Sequence, residues 1–192
     1  MMRLANADVL PVDFNSFYKT VNDYVTEVKT LLENSRADIE TETKMRKEKL
    51  FDLAKDSRQT YKPPAEKDAA PFLDFSSLEN ALVQLKNASE EFQKLYSSAT
   101  QLSNDKQNQL NTILYKAERS LTNEKGLPRR SWYKHQIYAP GYYTGYDVKT
   151  LPGIREGIEE RKWKEAQDYI EILAKTLQAY TEQVNAANAL LK

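Results

Sequence analysis

Two features of this sequence have the residue types for chemistry: a lone histidine, His135, and a knot of tyrosines around it. Both lie in residues 126–154, GLPRRSWYKHQIYAPGYYTGYDVKTLPGI. A histidine base needs a nucleophile within hydrogen-bond reach and a third group to orient it, and no serine nearby sits on a strand-to-helix elbow. A zinc site needs further histidines or thiolates at defined spacing, and the chain has one histidine and no cysteine. No HExxH, EF-hand loop, P-loop or GxSxG occurs. His135 therefore reads as a packed or hydrogen-bonded loop residue rather than a base or ligand. The 28 acidic residues make carboxylate pairs common on any helix face, so such pairs carry no signal.

The tyrosines offer a sharper possibility. Tyr142, Tyr143 and Tyr146 have phenols that can donate to a carboxylate or backbone carbonyl, and rings that supply contact area at low entropic cost. The alternative is that they plug the end of a helical bundle. Separately, Asn87-Ala88-Ser89 is an N-glycosylation triplet, to be used only if the chain passes through the secretory pathway.

The surrounding loop cannot be a regular helix. Pro128, Pro140 and Pro152 remove donors and fix φ, and the segment also holds four of the five glycines. A loop of this length is usually functional. Everything around it has helical periodicity. Residues 1–12 read as a lead-in, with Asp13 a candidate N-cap. Phe14, Phe17, Val21, Tyr24, Val28 and Leu31 form an apolar stripe that Tyr18, Val25 and Leu32 widen. Residues 33–49 carry both charge signs and read as a solvated helix with i,i+4 pairs. One helix over residues 13–58 would be about 70 Å long, and a break at Asn34-Ser35 is the other option. Residues 59–75 form a connector, and Ser76 with Glu79 has capping-box spacing.

A second stripe follows through Leu78, Leu82, Leu85, Ala88, Phe92, Leu95, Ala99 and Leu102. A third, after Ser103-Asn104-Asp105, carries Leu110, Ile113, Leu114, Ala117 and Leu121, with Gly126 as a stop beyond it. Pro152 opens a short helix around Ile154 and Ile158. Trp163, Ala166, Ile170, Leu173, Leu177, Tyr180, Val184, Ala187 and Leu191 mark the last helix. The expected fold is all-α: one helical domain over residues 1–192, a bundle of about four principal helices without strands, interrupted by the aromatic Gly/Pro loop.

Composition narrows function further. The formal net charge is zero, which gives no basic patch for nucleic acid or an anionic membrane. No apolar run approaches the ~20 residues that span a bilayer. No signal peptide is evident, and the doubled Met1-Met2 reads as a start placed before an excised fragment of something larger.

Three strings carry a resemblance: RLANADVLPVDF at the start, GLPRRSWYKHQIYAP in the central loop, and LPGI after it. They match the pattern RLAN-x-x-x-LP-x-D … GLP-x-R-x-x-Y-x-H-x-IYAP … PGI. The chain thereby resembles the C-terminal helical domain of glutamate carboxypeptidase II-like zinc peptidases, the transferrin receptor-like dimerisation domain, over essentially its whole length. Residues 33–75 look longer than in animal members, and the Asn87 triplet falls where relatives also carry one.

The resemblance implies a homodimerisation module that is not catalytic by itself. It places the two-zinc cluster and the catalytic glutamate in a peptidase domain outside this chain, so no cofactor is expected here. The partners it implies are a second copy and that peptidase domain, with no nucleic acid and no membrane contact from this segment. It also implies the lumenal or extracellular part of a type II membrane protein. In glutamate-specific members a Lys-Tyr pair in the central loop binds the substrate's terminal glutamate. Tyr146 stands at the tyrosine position, but Gly145 replaces the lysine, which points to altered specificity or an inactive parent. The competing class is a free-standing helical adaptor whose charged arm, residues 33–55, binds a partner helix.

Overall fold

The computed structural model describes residues 7–53, 65–98 and 102–192. The RLAN portion of the lead-in, Pro63-Pro64 of the connector and Ala99 of the second stripe lie outside them.

Helix α1 spans Phe14–Lys47. Asp13 caps it: its carboxylate accepts the Ser16 N–H at 3.0 Å and the Ser16 hydroxyl at 2.7 Å. These bonds hold the Asp13 carboxyl below the usual carboxylate range. The helix passes through Asn34-Ser35 without a break. The propensity cost of those two residues is small, whereas Leu32 and Ile39 on either side are both buried and keep the stripe continuous. Arg36 also donates to the Pro71 carbonyl at 2.9 Å, pinning the connector to this stretch. The helix ends at Lys47, Lys49 takes a left-handed φ of 56°, and a short helix α2 (Leu50–Leu53) follows. At 34 residues α1 is about 50 Å long.

The buried stripe of α1 is Phe14, Val21, Val25, Val28, Leu32 and Ile39. Phe17, Tyr24 and Leu31, expected at its centre, sit on its flank. Helix α3 (Ser76–Ser98) buries Leu78, Ala81, Leu82, Leu85, Ala88 and Phe92. Its start departs from the expected capping box. Asp74 accepts both the N–H and the hydroxyl of Ser76, and Glu79 pairs instead with Lys29 of α1. Helix α4 (Asn104–Lys116) is capped by the Ser103 hydroxyl and ends in a 3-10 turn, Ala117–Leu121, before Gly126 is reached.

Helix α5 (Pro152–Glu159) and helix α6 (Trp163–Leu191) complete the bundle. The longest helix–helix seam runs between α3 and α6. Phe14 of α1 enters it edge-on, 4.8 Å from the Phe92 ring and 5.9 Å from Tyr180. The lead-in is tied down separately, because Asn111 of α4 accepts from Leu10 N–H and donates to the Asp8 carbonyl, both at 2.8 Å.

The expectation of a bundle without strands is corrected in one place. Strands β1 (Tyr138–Pro140) and β2 (Val148–Thr150) pair antiparallel in the central loop, with Tyr138 opposite Thr150 and Pro140 opposite Val148. Three residues are too few for a period-two pattern to register, and a proline inside one of them argues against a strand. The backbone groups of the loop nonetheless need partners, and pairing supplies them.

Close backbone packing joins this loop to the bundle. Gly126 has φ 66°, and a Cβ there would lie 2.1 Å from the Ser131 carbonyl oxygen. A Cβ on Gly153 would lie 2.1 Å from the Tyr169 ring, whose hydroxyl donates to the Gly126 carbonyl at 2.8 Å. Gly153→Ala should therefore displace Tyr169 and destabilise the chain by about 1–3 kcal/mol in urea denaturation. An unchanged midpoint would show that the α5–α6 contact is looser than this.

Candidate functional site

The loop end of the molecule is organised by a buried ion pair set beside apolar side chains, Ile137, Leu151, Ile154 and Ile158 among them. Residues 127–130 form a tight turn in which Arg129 adopts φ 61° and Arg130 N–H donates to the Leu127 carbonyl. The turn sends the two arginines in different directions. Arg130 goes inward: its two terminal nitrogens bind the two oxygens of Glu156 at 2.8 and 2.9 Å, and both side chains are 3% exposed. Glu156 comes from α5, whose start is set by Pro152 and by Leu151 in the left-handed region. Its Oε1 also accepts the Tyr142 N–H at 2.8 Å, so one carboxylate holds the 127–130 turn and the hairpin together.

Arg129 goes outward. It spans Glu165 with two bonds of 3.0 and 3.1 Å, reaches Glu160 at 3.3 Å, and lies 5.3 Å from the centre of the Tyr142 ring. Tyr142 thus has Arg129 and Arg130 within cation–π range and Tyr143 edge-on at 4.8 Å.

The expected site residues fall in three places. Tyr142, Tyr143 and Tyr146 are exposed, with Tyr146 fully so. They do not plug the bundle's end; they cap the hairpin and face outward. The tip is ordered by its own backbone: Gly141 N–H donates to Asp147, Gly145 N–H to Gly141, and Tyr146 N–H to Thr144. Gly145 has φ 67° with open space beyond its α-carbon. Trp132, Tyr133 and Val148 extend the exposed apolar surface at this end.

His135 is the packed loop residue expected. Its Nδ1 accepts the N–H groups of Ile137 and Tyr138 at 3.3 and 3.4 Å, which assigns the proton of the neutral ring to Nε2. Nε2 is buried and lies 3.7 Å from Glu118 Oε1, which accepts the Tyr138 hydroxyl at 2.9 Å. Asn87 is exposed on α3, but the Ser89 hydroxyl of its triplet is buried and donates to the Leu85 carbonyl at 2.7 Å.

The residue that reasoning from the sequence missed is Glu156, and with it the role of Arg130. The available signal was local: a single carboxylate between Gly153 and Gly157, on a helix whose other inward residues are Ile154 and Ile158. Among the described residues no group of three or more His, Asp or Glu side chains is placed to hold a metal ion. No described helix is long and apolar enough to cross a membrane.

Comparison with known proteins bears on what this end is for. Residues 73–185, more than half of the chain and all of the loop end, match the transferrin receptor-like dimerisation domain. The chain belongs to that family. It is 36% identical over 103 residues to a probable glutamate carboxypeptidase of Arthroderma benhamiae, a match that covers 53% of this chain and 14% of that protein. It is 46% identical over 54 residues to a probable glutamate carboxypeptidase of Arabidopsis thaliana, covering 28% of this chain and 8% of that protein. The chain thus corresponds to a small part of the length of these curated relatives.

The buried pair gives a direct test of this geometry. Arg130→Ala strands a charge at Glu156 and should cost about 3–5 kcal/mol in denaturant unfolding. The double change Arg130→Met with Glu156→Leu removes both charges and should recover most of that loss. If the double variant were as unstable as the single one, charge pairing would not be what holds the turn to α5.

Proposed function

We propose that this chain is the dimer-forming helical module of a larger glutamate carboxypeptidase-like zinc peptidase, or of an inactive homologue. In this reading it carries no reacting groups and lends its hairpin tip to the peptidase domain's substrate pocket. A homodimer is the natural assembly for a dimerisation domain, and closed two-fold pairing is the commonest solution. The zinc and the catalytic carboxylate would reside in the peptidase domain. By the same reading the module lies on the lumenal or extracellular side, where Asn87 would be a glycosylation site.

One observation supports the loop's role above the others. Tyr146 stands fully exposed at the tip of a hairpin that a buried ion pair anchors on its tip side, through the Tyr142 N–H. A large exposed aromatic phenol is suited to a surface that covers it, and its hydroxyl can donate to a carboxylate oxygen. Gly145 brings no charge beside it, so a second cation for a substrate's glutamate side chain would have to come from elsewhere. This favours a parent with relaxed or different terminal-residue selectivity.

The adaptor reading fares less well. Part of the charged arm is occupied within the chain itself, because Glu42 pairs with Lys67 and Arg36 binds the Pro71 carbonyl. Ile39 is buried there as well. These contacts leave less of the arm free for a partner helix.

Two measurements test the proposal. Light scattering on the 192-residue chain at tens of micromolar should give twice the chain's mass, and a monomer alone would count against autonomous pairing. In the full-length parent, Tyr146→Phe should raise KM about tenfold or more for a peptide ending in glutamate, the loss of one hydrogen bond to a charged group. Unchanged kcat and KM would remove Tyr146 from the pocket.

A further inference from the structure

Several contacts hold the hairpin to the bundle: Lys149 pairs with Glu159, Arg155 donates to Thr150, and Gln136 N–H donates to the Leu121 carbonyl. Two further contacts, one near the tip and one at the base, differ in chemistry. The hairpin's tip side is held by Glu156, which is buried and fully engaged with Arg130 and the Tyr142 N–H. Its base is held by His135, whose Nδ1 takes the N–H groups of Ile137 and Tyr138 where β1 begins. Nδ1 can do this only while it carries no proton. We propose that His135 is an acid-released pin, and that its protonation frees the start of β1 and loosens the Tyr138–Thr150 hairpin on the bundle.

The groups around the ring decide the direction. Glu118 of the 3-10 turn faces Nε2 at 3.7 Å, and its neighbour Arg119 is turned back over Tyr115. Tyr138 of β1 lies against the imidazole with ring centres 4.3 Å apart, and its hydroxyl binds Glu118. Lys134, next in sequence, is paired with Glu124. Tyr180 of α6 also senses the Glu118 charge. Glu118 is thus the one described carboxylate placed to favour an imidazolium. It is largely exposed, so solvent screens it.

Against it stand the burial of the ring and two N–H donors that a second ring proton would confront. Burial lowers the His135 pKa from its ordinary value, with Glu118 and a weaker backbone interaction at Tyr138 opposing incompletely. The sign follows from linkage. A histidine depressed on folding stabilises the chain above its unfolded pKa of about 6.5, and that stability is lost as pH falls through the folded value. Acid therefore acts against the pinned hairpin.

Because His135 is the sole histidine, its imidazole resonances can be followed without ambiguity. In the 192-residue chain, NMR should show the Nε2–H tautomer at neutral pH and a titration midpoint below 6.5. After correction for intrinsic exchange rates, the Ile137 and Tyr138 amides should lose protection about tenfold between pH 7.5 and 5.0. His135→Asn offers a non-titrating acceptor in place of Nδ1 and should abolish that pH dependence. A midpoint at or above 6.5, protection that does not change with pH, or an equal loss in the asparagine variant would each overturn the proposal. The nitrogen tautomer and midpoint are read on the unaltered chain, so the test stands even if the variant fails to fold.

Discussion

The ion pair between Arg130 and Glu156 is the constraint on which the loop end depends. Removing two charges from water is costly, and the attraction between them offsets the cost only when geometry and hydrogen bonding are good. Here a planar guanidinium meets a carboxylate through two parallel bonds and the carboxylate accepts a third from the Tyr142 N–H, while Arg130 Nε is buried without a partner. Three segments are thereby fixed to one point: the 127–130 turn, the hairpin and α5. Each also sends apolar side chains inward: Leu127 from the turn, Ala139 from the hairpin, and Ile154 and Ile158 from α5. The pair supplies the directional contact that area cannot.

The helices follow a different rule. α1, α3 and α6 hold together by stripes of valine, leucine, isoleucine and alanine that repeat every three or four residues, with Phe14 filling the space between Phe92 and Tyr180. The two regimes meet at Tyr169. Its ring lies against Gly153 at the start of α5, and its hydroxyl reaches the Gly126 carbonyl at the start of the loop. A residue on the face of the last helix therefore transmits the position of the bundle to the polar end, and Gly153 is needed for that close approach.

Legibility in the sequence divided along the same line. Helix existence, the cap at Asp13 and the break at Ser103-Asn104-Asp105 were readable, because apolar spacing and side-chain oxygens are local signals. The phase of the α1 stripe was readable only to within one residue. Phe17 and Tyr24 are as apolar as Val21 and Val25, and tertiary packing alone selects the valines. At Ser76 the capping-box pattern was present, but Asp74 two residues earlier is the stronger acceptor and Glu79 was claimed by Lys29. Glu156 could be flagged from its place among inward-facing neighbours on α5, but not its partner: Arg130 is 26 residues away, and ion pairs at that separation leave no periodic trace.

For a chain that passes through the secretory pathway, the buried hydroxyl of Ser89 would bear on glycan attachment. In an Asn-x-Ser triplet the asparagine accepts the sugar and the serine is part of what is recognised, yet here the serine is turned into the α3–α6 seam while Asn87 stays outside. Docking of these two helices and attachment of a glycan would compete for access to one oxygen atom. Occupancy at Asn87 would then act as a clock, recording whether the transferase met the chain before or after its longest seam closed.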